Sequence, residues 1–290
     1  MKQVLITGKN SYVGNSLEKW LLKNPDKYEV TKISVRDENW QKHDFSKYDV
    51  VFQVAGIAHS DTGNASQKIK QMYYDVNTDL TISIAKKAKA SGIKQLIFMS
   101  SMIVYGDSAP IGQRKMITKE TVPHPANFYG DSKIQAEIGI KVLNDADFSV
   151  AIIRPPMIYG KGSKGNYPIL SKVAQKFPIF PDIDNERSML HIDNLCEFTR
   201  LIIENQDSGT FFPQNSKYVK TSEMVKVIAK AHGKHIVLTK TLNPFIKMMS
   251  QKIGIANKVF GNLSYDMSMS DYKEDYRVVN FDKSIHLTEI

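Results

Sequence analysis

The chain contains one cysteine, Cys196, among its 290 residues, so no internal disulfide can form and nothing demands an oxidising compartment. No apolar run approaches the ~20 residues that span a bilayer, so we expect no membrane insertion. The apolar residues between Met1 and Gly8 are too few for the hydrophobic region of a signal peptide. These absences predict a cytoplasmic protein.

Acidic residues are outnumbered by basic ones, 30 to 39, which gives a formal net charge of +9. Such an excess could attract nucleic acid, an anionic membrane surface or a phosphorylated small molecule. The lysines form no block of five or six, so we favour a solvated basic surface and expect no nucleic-acid partner. We expect Met248 and Met249, with Met267 and Met269, to lie in core or inter-lobe packing rather than at a cofactor.

Strand-like and helix-like patterns alternate in the first half of the chain. The predicted strands are 3–7, 28–35, 49–54, 95–100 and 150–154, and the predicted helices are 13–23, 68–90 and 127–144. Nearly all-apolar strands that alternate with helices predict an α/β fold, a doubly wound parallel sheet covered on both faces. After Pro155 and Pro156 the alternation fades, which predicts a smaller mixed lobe. The predicted domains are therefore 1–160 and 161–290.

A spaced pair of glycines joins the first predicted strand to the first predicted helix. Gly8 permits a tight turn, and Gly14 lets the helix pack close to the sheet. The amides at the helix N-terminus then form an anion site for a pyrophosphate, although the pair could also be a turn glycine and a packing glycine. The candidate binding residues in this loop are Gly8, Asn10, Ser11, Tyr12, Val13 and Gly14.

The end of the second strand distinguishes the two nicotinamide cofactors, because an acid there binds a ribose hydroxyl and a base accommodates a 2′-phosphate. Ser34 and Arg36 favour NADP(H), whereas Asp37 favours NAD(H); we expect NADP(H). Further along, Asp44 and Phe45 could meet the adenine edge, and an ordinary turn aspartate is an equal alternative.

Tyr129 and Lys133 are four residues apart at the start of a predicted helix, so they share one face. A nearby cation favours the phenolate, which predicts that the pKa of Tyr129 lies below its usual ~10. A tyrosine tuned in this way can exchange a proton with a carbonyl or carbinol oxygen. Ser100 and Ser101 end the fourth strand, where Ser101 could hydrogen-bond the same oxygen or merely cap a turn.

These motifs, taken in order, resemble the extended short-chain dehydrogenase/reductases of the nucleotide-sugar epimerase/dehydratase superfamily. The resemblance also rests on the Tyr-Asp-Val-Asn segment that ends at Asn77 and on the Arg-Pro-Pro-Met-Ile-Tyr-Gly segment that begins at Arg154. It implies a Rossmann-type NAD(P)-binding domain, a C-terminal substrate-binding lobe and the catalytic residues Ser101, Tyr129 and Lys133. It further implies cofactor contacts from Ala55, Gly56, Asn77, Ser100, Tyr129, Lys133 and Pro155, and substrate contacts from Ser101, Tyr129, Asn166 and Arg187.

Departures from the family pattern reduce the number of reactions that the resemblance implies. Ser11 stands where many relatives have a central glycine. Met102 and Ile103 follow Ser101 where 4,6-dehydratases carry the Asp-Glu pair of the elimination, so dehydration is disfavoured. Many 4-epimerases carry an asparagine in the segment where this chain has Pro155, Pro156 and Met157.

The segment from Arg154 to Asn166 is most similar to bacterial reductases of 4-keto-6-deoxy-N-acetylhexosamine nucleotides. The resemblance therefore implies an NAD(P)H-dependent reductase acting at C4 of a UDP-4-keto sugar, with a UDP-hexose 4-epimerase as the alternative. A non-catalytic redox sensor or nucleic-acid-binding member of the fold is a third hypothesis. We expect a UDP-sugar as ligand, no metal, and a homodimer as the candidate assembly.

Overall fold

The structure is a computed structural model that describes residues 1–58, 65–250 and 254–290, without the side chains of 249, 250, 254 and 255. Its contacts divide the chain into two compact units. The first comprises Met1–Gly106, Val122–Pro155 and Leu195–Phe212, and the second Asp107–Thr121, Pro156–Asn194 and Pro213–Ile290. This division differs from the predicted boundary after residue 160, because each unit includes a segment from the other side of that boundary.

Strands and helices alternate through most of the described residues. The strands are β1 (Lys2–Thr7), β2 (Tyr28–Ile33), β3 (Val50–Gln53), β4 (Gln95–Met99), β5 (Met116–Ile117), β6 (Ser149–Ile153), β7 (Met157–Tyr159), β8 (Ile179–Pro181), β9 (Met189–His191), β10 (Gly209–Phe211), β11 (Val237–Thr239) and β12 (Ser264–Tyr265). The helices are α1 (Tyr12–Leu21), α2 (Gln67–Tyr73), α3 (Leu80–Ala90), α4 (Phe128–Lys141), α5 (Tyr167–Lys176), α6 (Ile192–Asn205), α7 (Thr221–Ala231), α8 (Asn243–Ser250), α9 (Gly254–Phe260) and α10 (Phe281–Glu289). Short 3-10 helices span Glu38–Lys42, Met102–Tyr105 and Met267–Ser270.

The first unit is built on a six-stranded parallel sheet in the order β10-β6-β4-β3-β1-β2. Its register aligns Leu5, Val51, Leu96 and Val150 in one buried row across the four central strands. A slip of one residue would turn this row to the opposite face, so burial fixes the register. The predicted Rossmann-type sheet is confirmed. The strand β10 was not predicted, because it has three residues and is only partly buried.

The predicted helix over 68–90 is three segments rather than one. α2 and α3 are joined by a π-helical segment, Tyr74–Asp79, that contains Asn77. A π-helical turn is rare, and such turns occur frequently at functional sites. The prediction of a helix over 68–90 is therefore confirmed, with a π-helical segment in its interior that the sequence pattern did not indicate.

The second unit packs α5, α7 and α10 around a core that includes Tyr159, Val225 and Ile285. Two-stranded sheets pair β7 with β9, β8 with β11 and β5 with β12. Met269 is buried as predicted, but Met248 is 58% exposed, so the expectation of core packing is wrong for Met248. The side chain of Met249 lies outside the described residues. Within the described ranges, no helix is long and apolar enough to cross a bilayer.

Candidate active site

The loop between β1 and α1 approaches the loop after β3 closely. Gly8 has a φ of +114°, and a Cβ there would lie 3.0 Å from the Ala55 nitrogen. Asn10 is exposed in this loop, and Tyr12 and Val13 form the first turn of α1. Because the first N–H groups of a helix lack intrahelical acceptors, this turn offers donors to an anion. The loop therefore fits the pyrophosphate of a dinucleotide.

Ser11 is the N-cap of α1. Its φ of −72° and ψ of 142° need no glycine, and its Oγ accepts a 3.0 Å hydrogen bond from the Gly14 N–H. A Cβ at Gly14 would lie 2.5 Å from that Oγ and 3.0 Å from Cγ2 of Ile6 in β1. Gly14 thus permits close helix packing, while serine at position 11 supplies a cap that glycine cannot.

Helix α4 begins directly before Tyr129. Asn127 Oδ1 accepts hydrogen bonds from the backbone N–H groups of Tyr129 and Gly130, both 3.1 Å long, and so caps the helix. A Cβ at Gly130 would lie 2.8 Å from the Ile103 carbonyl oxygen, so α4 packs tightly on the turn after β4. Ser101 lies in that turn, and its side chain is near enough to Tyr129 to influence the pKa of the phenol.

Ser101 also caps the short helix that follows β4. Its Oγ accepts a 3.2 Å hydrogen bond from the Ile103 N–H, and its φ of −163° is extended backbone. Ser101 therefore both caps this turn and lies beside Tyr129. The cap orients the hydroxyl that contacts Tyr129.

The pKa predicted for Tyr129 is wrong in direction. Burial of the hydroxyl raises the pKa of Tyr129 to about 12, and the nearby Ser101 side chain opposes this only in part. Tyr73 packs edge-on against the Tyr129 ring, with centroids 5.9 Å apart. Tyr129 is therefore a protonated phenol at neutral pH, ready to donate a proton.

Lys133 points to the end of β4 rather than to the tyrosine. It is buried, its Nζ donates a 3.0 Å hydrogen bond to the Met99 carbonyl oxygen, and the ammonium lies 4.8 Å from the Phe98 ring centroid. Burial lowers the pKa of Lys133 to about 8, and the Glu137 carboxylate opposes this shift. The lysine remains mostly protonated at pH 7 and lies at the carboxyl edge of the sheet.

The side chain of Asn77 connects the loop after β3 to the start of α4 through hydrogen bonds. Its Oδ1 accepts a 2.8 Å hydrogen bond from the Ile57 N–H, and its Nδ2 donates to the Ile57 carbonyl oxygen and to Ser132 Oγ. A Cβ at Gly56 would lie 3.0 Å from Asn77 Oδ1 and 3.2 Å from Lys133 Nζ. The predicted residues Gly56, Asn77 and Lys133 are thus brought together.

A buried ion pair lies behind these residues. Arg154, at the end of β6, binds Glu137 of α4 through its Nε at 2.9 Å and through a second guanidinium nitrogen. Glu137 also accepts a 2.5 Å hydrogen bond from Ser100 Oγ, and Arg154 donates to the Tyr105 hydroxyl at 2.6 Å. Both charged side chains are almost fully buried, so the network fixes α4 to the strand ends that carry Ser100 and Ser101.

The two residues after Ser101 cannot transfer a proton. Met102 is buried, and its N–H donates a 2.9 Å hydrogen bond to the Pro155 carbonyl oxygen. Pro155 is itself buried, so its carbonyl holds the turn rather than facing solvent. Ile103 packs its backbone against Gly130, as described above.

The segment after β2 carries both candidate cofactor determinants on the surface. Ser34, Arg36 and Asp37 are exposed, and Ser34 Oγ accepts a 3.4 Å hydrogen bond from the Arg36 N–H. Asp37 caps the following 3-10 helix by accepting from the Asn39 N–H at 3.0 Å. The Arg36 side chain is therefore available to a 2′-phosphate, and Asp37 already has a structural partner.

Asp44 forms an ordinary turn, which is one of the two alternatives that the sequence predicts for it. Its Oδ1 accepts hydrogen bonds from the Ser46 N–H and hydroxyl, at 3.0 and 2.7 Å. The Phe45 side chain is buried beside Trp40, so any contact of Phe45 with adenine would come from its backbone.

Arg187 lies in the second unit, on a bridge between chain segments. Its backbone pairs with Val219, and its guanidinium donates to the Gly261 carbonyl oxygen at 3.0 Å and to Ser108 Oγ at 3.5 Å. Burial lowers the pKa of Arg187 to about 10. Asn166 stands at the start of α5, where its side chain makes no capping hydrogen bond.

A purely local salt bridge does not account for Arg187. The neighbouring acids are engaged elsewhere: Glu186 pairs with Arg114 at 2.9 Å, and Asp182 pairs with Lys220 at 2.9 Å. Within the residues that the structure describes, no carboxylate lies within ion-pair distance of Arg187. A partly buried cation without a carboxylate partner can receive an anionic ligand.

Two residues of the site, Glu137 and Asn127, were missed in the sequence. Glu137 follows Lys133 by four residues, and that helical spacing was an available signal. Asn127 precedes a helical pattern, as N-cap residues do. Nothing in the sequence pairs Glu137 with Arg154, which belongs to the next strand.

Comparison with known proteins identifies similar chains. A model of the NAD dependent epimerase/dehydratase family matches residues 4–212. The UDP-glucose 4-epimerase of Vibrio cholerae is 31% identical over 255 residues, which cover 80% of this chain and 76% of that protein. The N-acetyl-alpha-D-glucosaminyl-diphospho-ditrans,octacis-undecaprenol 4-epimerase of Escherichia coli O157:H7 is 32% identical over 227 residues, which cover 71% of this chain and 64% of that one.

Solved structures share the fold. A mutant of the UDP-glucuronic acid 4-epimerase of Bacillus cereus, in complex with NAD and UDP-4-deoxy-4-fluoro-glucuronic acid, aligns with a TM-score of 0.74. The alignment covers 99% of this chain and 98% of that one at 18% sequence identity. At this identity the likeness concerns the fold.

Proposed function

The chain belongs to the NAD dependent epimerase/dehydratase family of enzymes, and from this premise we propose that it reduces C4 of a UDP-4-keto-6-deoxy-N-acetylhexosamine-type sugar. The product would be a precursor of surface polysaccharide, made in the cytoplasm. One observation carries the proposal: Tyr129 is a protonated phenol that lies beside Ser101, in the turn after β4 at the carboxyl edge of the sheet.

Reduction of a carbonyl to an alcohol requires one hydride and one proton. When bound, the nicotinamide supplies the hydride to C4. Tyr129 donates its hydroxyl proton to the C4 oxygen, and Ser101 orients that oxygen by a hydrogen bond. Because the pKa of Tyr129 is raised, the donor form of the phenol predominates at neutral pH. Lys133 holds the nicotinamide ribose beside Gly56 and Asn77.

Elimination is disfavoured for this site. Dehydration of a nucleotide sugar needs an acid and a base beside the redox centre. Met102 and Ile103 occupy the positions after Ser101 and provide neither. The site is therefore suited to redox chemistry at one carbon.

Arg187 is the proposed ligand of the substrate diphosphate. Its planar guanidinium can make two charge-assisted hydrogen bonds to phosphate oxygens. The absence of a carboxylate partner among the described residues supports this role, and Asn166 is a second candidate contact.

A UDP-hexose 4-epimerase, acting on UDP-glucose or UDP-N-acetylglucosamine, is the second candidate, since both curated relatives above are named 4-epimerases. That reaction would use Tyr129 first as a base and then as an acid, with the hydride returned to the opposite sugar face. The name of the second relative extends the candidate substrates to a sugar linked through a diphosphate to a polyprenol.

The test is a turnover assay with purified protein. Reduction consumes one NAD(P)H for each UDP-4-keto sugar converted, whereas epimerisation interconverts two UDP-hexoses with no net change in the cofactor. Cofactor-neutral conversion would refute the reductase, and inactivity of Ser101→Ala alongside active wild type is expected in both cases.

Binding of UDP tests the substrate class separately, by calorimetry. Arg187→Ala should weaken UDP by about 10- to 150-fold, and Arg187→Lys should restore only part of the loss. Arg114→Ala, in the same unit but exposed and paired with Glu186, is the matched control. If wild type and all of these variants bind UDP equally well, Arg187 has a structural role and does not bind the substrate.

A further inference from the structure

The basic excess of the protein is concentrated in one segment. Residues 224–265 contain seven lysines, no arginine and no aspartate or glutamate. These 42 residues therefore carry +7 of the formal net charge of +9. None of the reactions proposed above uses these lysines, so their accumulation needs a separate explanation.

Large apolar side chains are exposed within the same segment. Leu242, Phe245 and Met248 are 41%, 58% and 58% exposed, and their spacing of three places them along one side of α8 and the residue before it. Ile246, which follows Phe245 and lies about 100° from it around the helix axis, packs against the core of the second unit. The described part of α8 is thus anchored through Ile246 and presents an apolar stripe beside that contact.

Basic side chains flank this stripe. Lys240 precedes it and Lys247 lies within α8, both exposed, and Lys258 is exposed on α9. An aromatic and aliphatic stripe bordered by lysines is the pattern of helices that lie in the interface of a bilayer. The eight residues of α8 extend only about 12 Å, far too short to span a membrane.

We infer that α8 and its flanking lysines dock this protein onto an anionic phospholipid surface. Phe245 and Met248 enter the boundary between headgroups and acyl chains, while Lys240 and Lys247 contact lipid phosphates. A nucleic acid would meet the lysines but would offer nothing to Leu242 and Met248. The inference does not depend on which reaction the enzyme catalyses.

Vesicle flotation of the full chain tests this docking. We expect binding to vesicles of 30% phosphatidylglycerol in phosphatidylcholine, little binding to pure phosphatidylcholine, and steep weakening by salt. Lys240→Gln/Lys247→Gln should weaken the apparent affinity by about 10- to 30-fold. Phe245→Ser/Met248→Ser should weaken it by about 10-fold or more.

Matched controls separate this surface from general effects of charge and hydrophobicity. Ile138→Ser/Val142→Ser removes two exposed apolar residues, one in α4 and one directly after it, and Lys86→Gln/Lys94→Gln removes two exposed lysines of the first unit. Both should bind vesicles like the wild type, and thermal melts confirm folding. If either control variant lost as much affinity for anionic vesicles as the α8 variants do, the inference would be overturned.

Other occupants of the stripe give distinct results. If light scattering shows that Phe245→Ser/Met248→Ser converts a dimer to a monomer, and wild type does not bind anionic vesicles, the stripe is an interface with a second copy of the chain. If a DNA duplex binds and the vesicles do not, the lysines serve nucleic acid. Either result overturns docking to lipid.

Discussion

Replacement of Glu137 by glutamine should destabilise the protein by about 3–5 kcal/mol, because it leaves the buried Arg154 guanidinium without a counterion. Arg154 is 5% exposed and Glu137 is fully buried, so water cannot replace the lost carboxylate. Two unit charges about 4 Å apart attract by about 4 kcal/mol at an effective dielectric constant of about 20. Lys141, 3.9 Å from the Glu137 carboxylate, is half exposed and should contribute little.

Urea denaturation followed by circular dichroism measures this cost, and an exposed pair is the control. Glu186→Gln breaks the pair with Arg114, whose side chain is 76% exposed, and should cost less than about 1 kcal/mol. The double variant Glu137→Gln/Arg154→Met removes the unpaired charge and should recover much of the loss. A cost for Glu137→Gln as small as that for Glu186→Gln would refute the assignment of a tightly coupled buried pair.

Three further predictions concern the site itself. Tyr129→Phe removes the transferable proton and should lower turnover by about 10²-fold or more in a steady-state assay; unchanged turnover would exclude Tyr129 from the mechanism. Arg36→Ala should weaken NADPH far more than NADH in fluorescence titrations if its guanidinium meets the 2′-phosphate, whereas equal losses would favour Asp37 and NAD(H). Lys133 has a pKa of about 8 in the folded protein and 10.5 as its usual value, so the unfolded chain holds the extra proton between these pH values. The stability of wild type relative to Lys133→Met should therefore rise with pH across this window, by up to about 3 kcal/mol, and a constant difference in urea titrations would contradict the burial of the ammonium.

The central sheet was predictable because its strands are buried on both faces and are therefore apolar throughout. The predicted strands over 3–7 and 150–154 match β1 and β6 to within a residue. β10 escaped prediction because it is short and half exposed, and its place in the sheet depends on pairing with β6.

Within the candidate site, the sequence could not predict the directions in which the side chains point. The spacing of Tyr129 and Lys133 places both on one helix face, which the sequence shows. The Met99 carbonyl oxygen, which binds the Lys133 ammonium, belongs to a strand 34 residues earlier. Sequence spacing carries no information on that contact or on the burial of the phenol, so the pKa of Tyr129 was predicted in the wrong direction.

The π-helical segment between α2 and α3 makes this stretch intolerant of changes in length. Its hydrogen bonds span five residues rather than four, so it accommodates one residue more than an α-helical turn. Deleting one residue there would let the α-helical ladder close, while α3 kept its present rotation about the helix axis. Ile84 and Ala88 would then stay in the core, but the widened turn that places Asn77 beside Ile57 would be lost. Homologous chains that keep this site should therefore align here without gaps, while surface loops elsewhere vary in length.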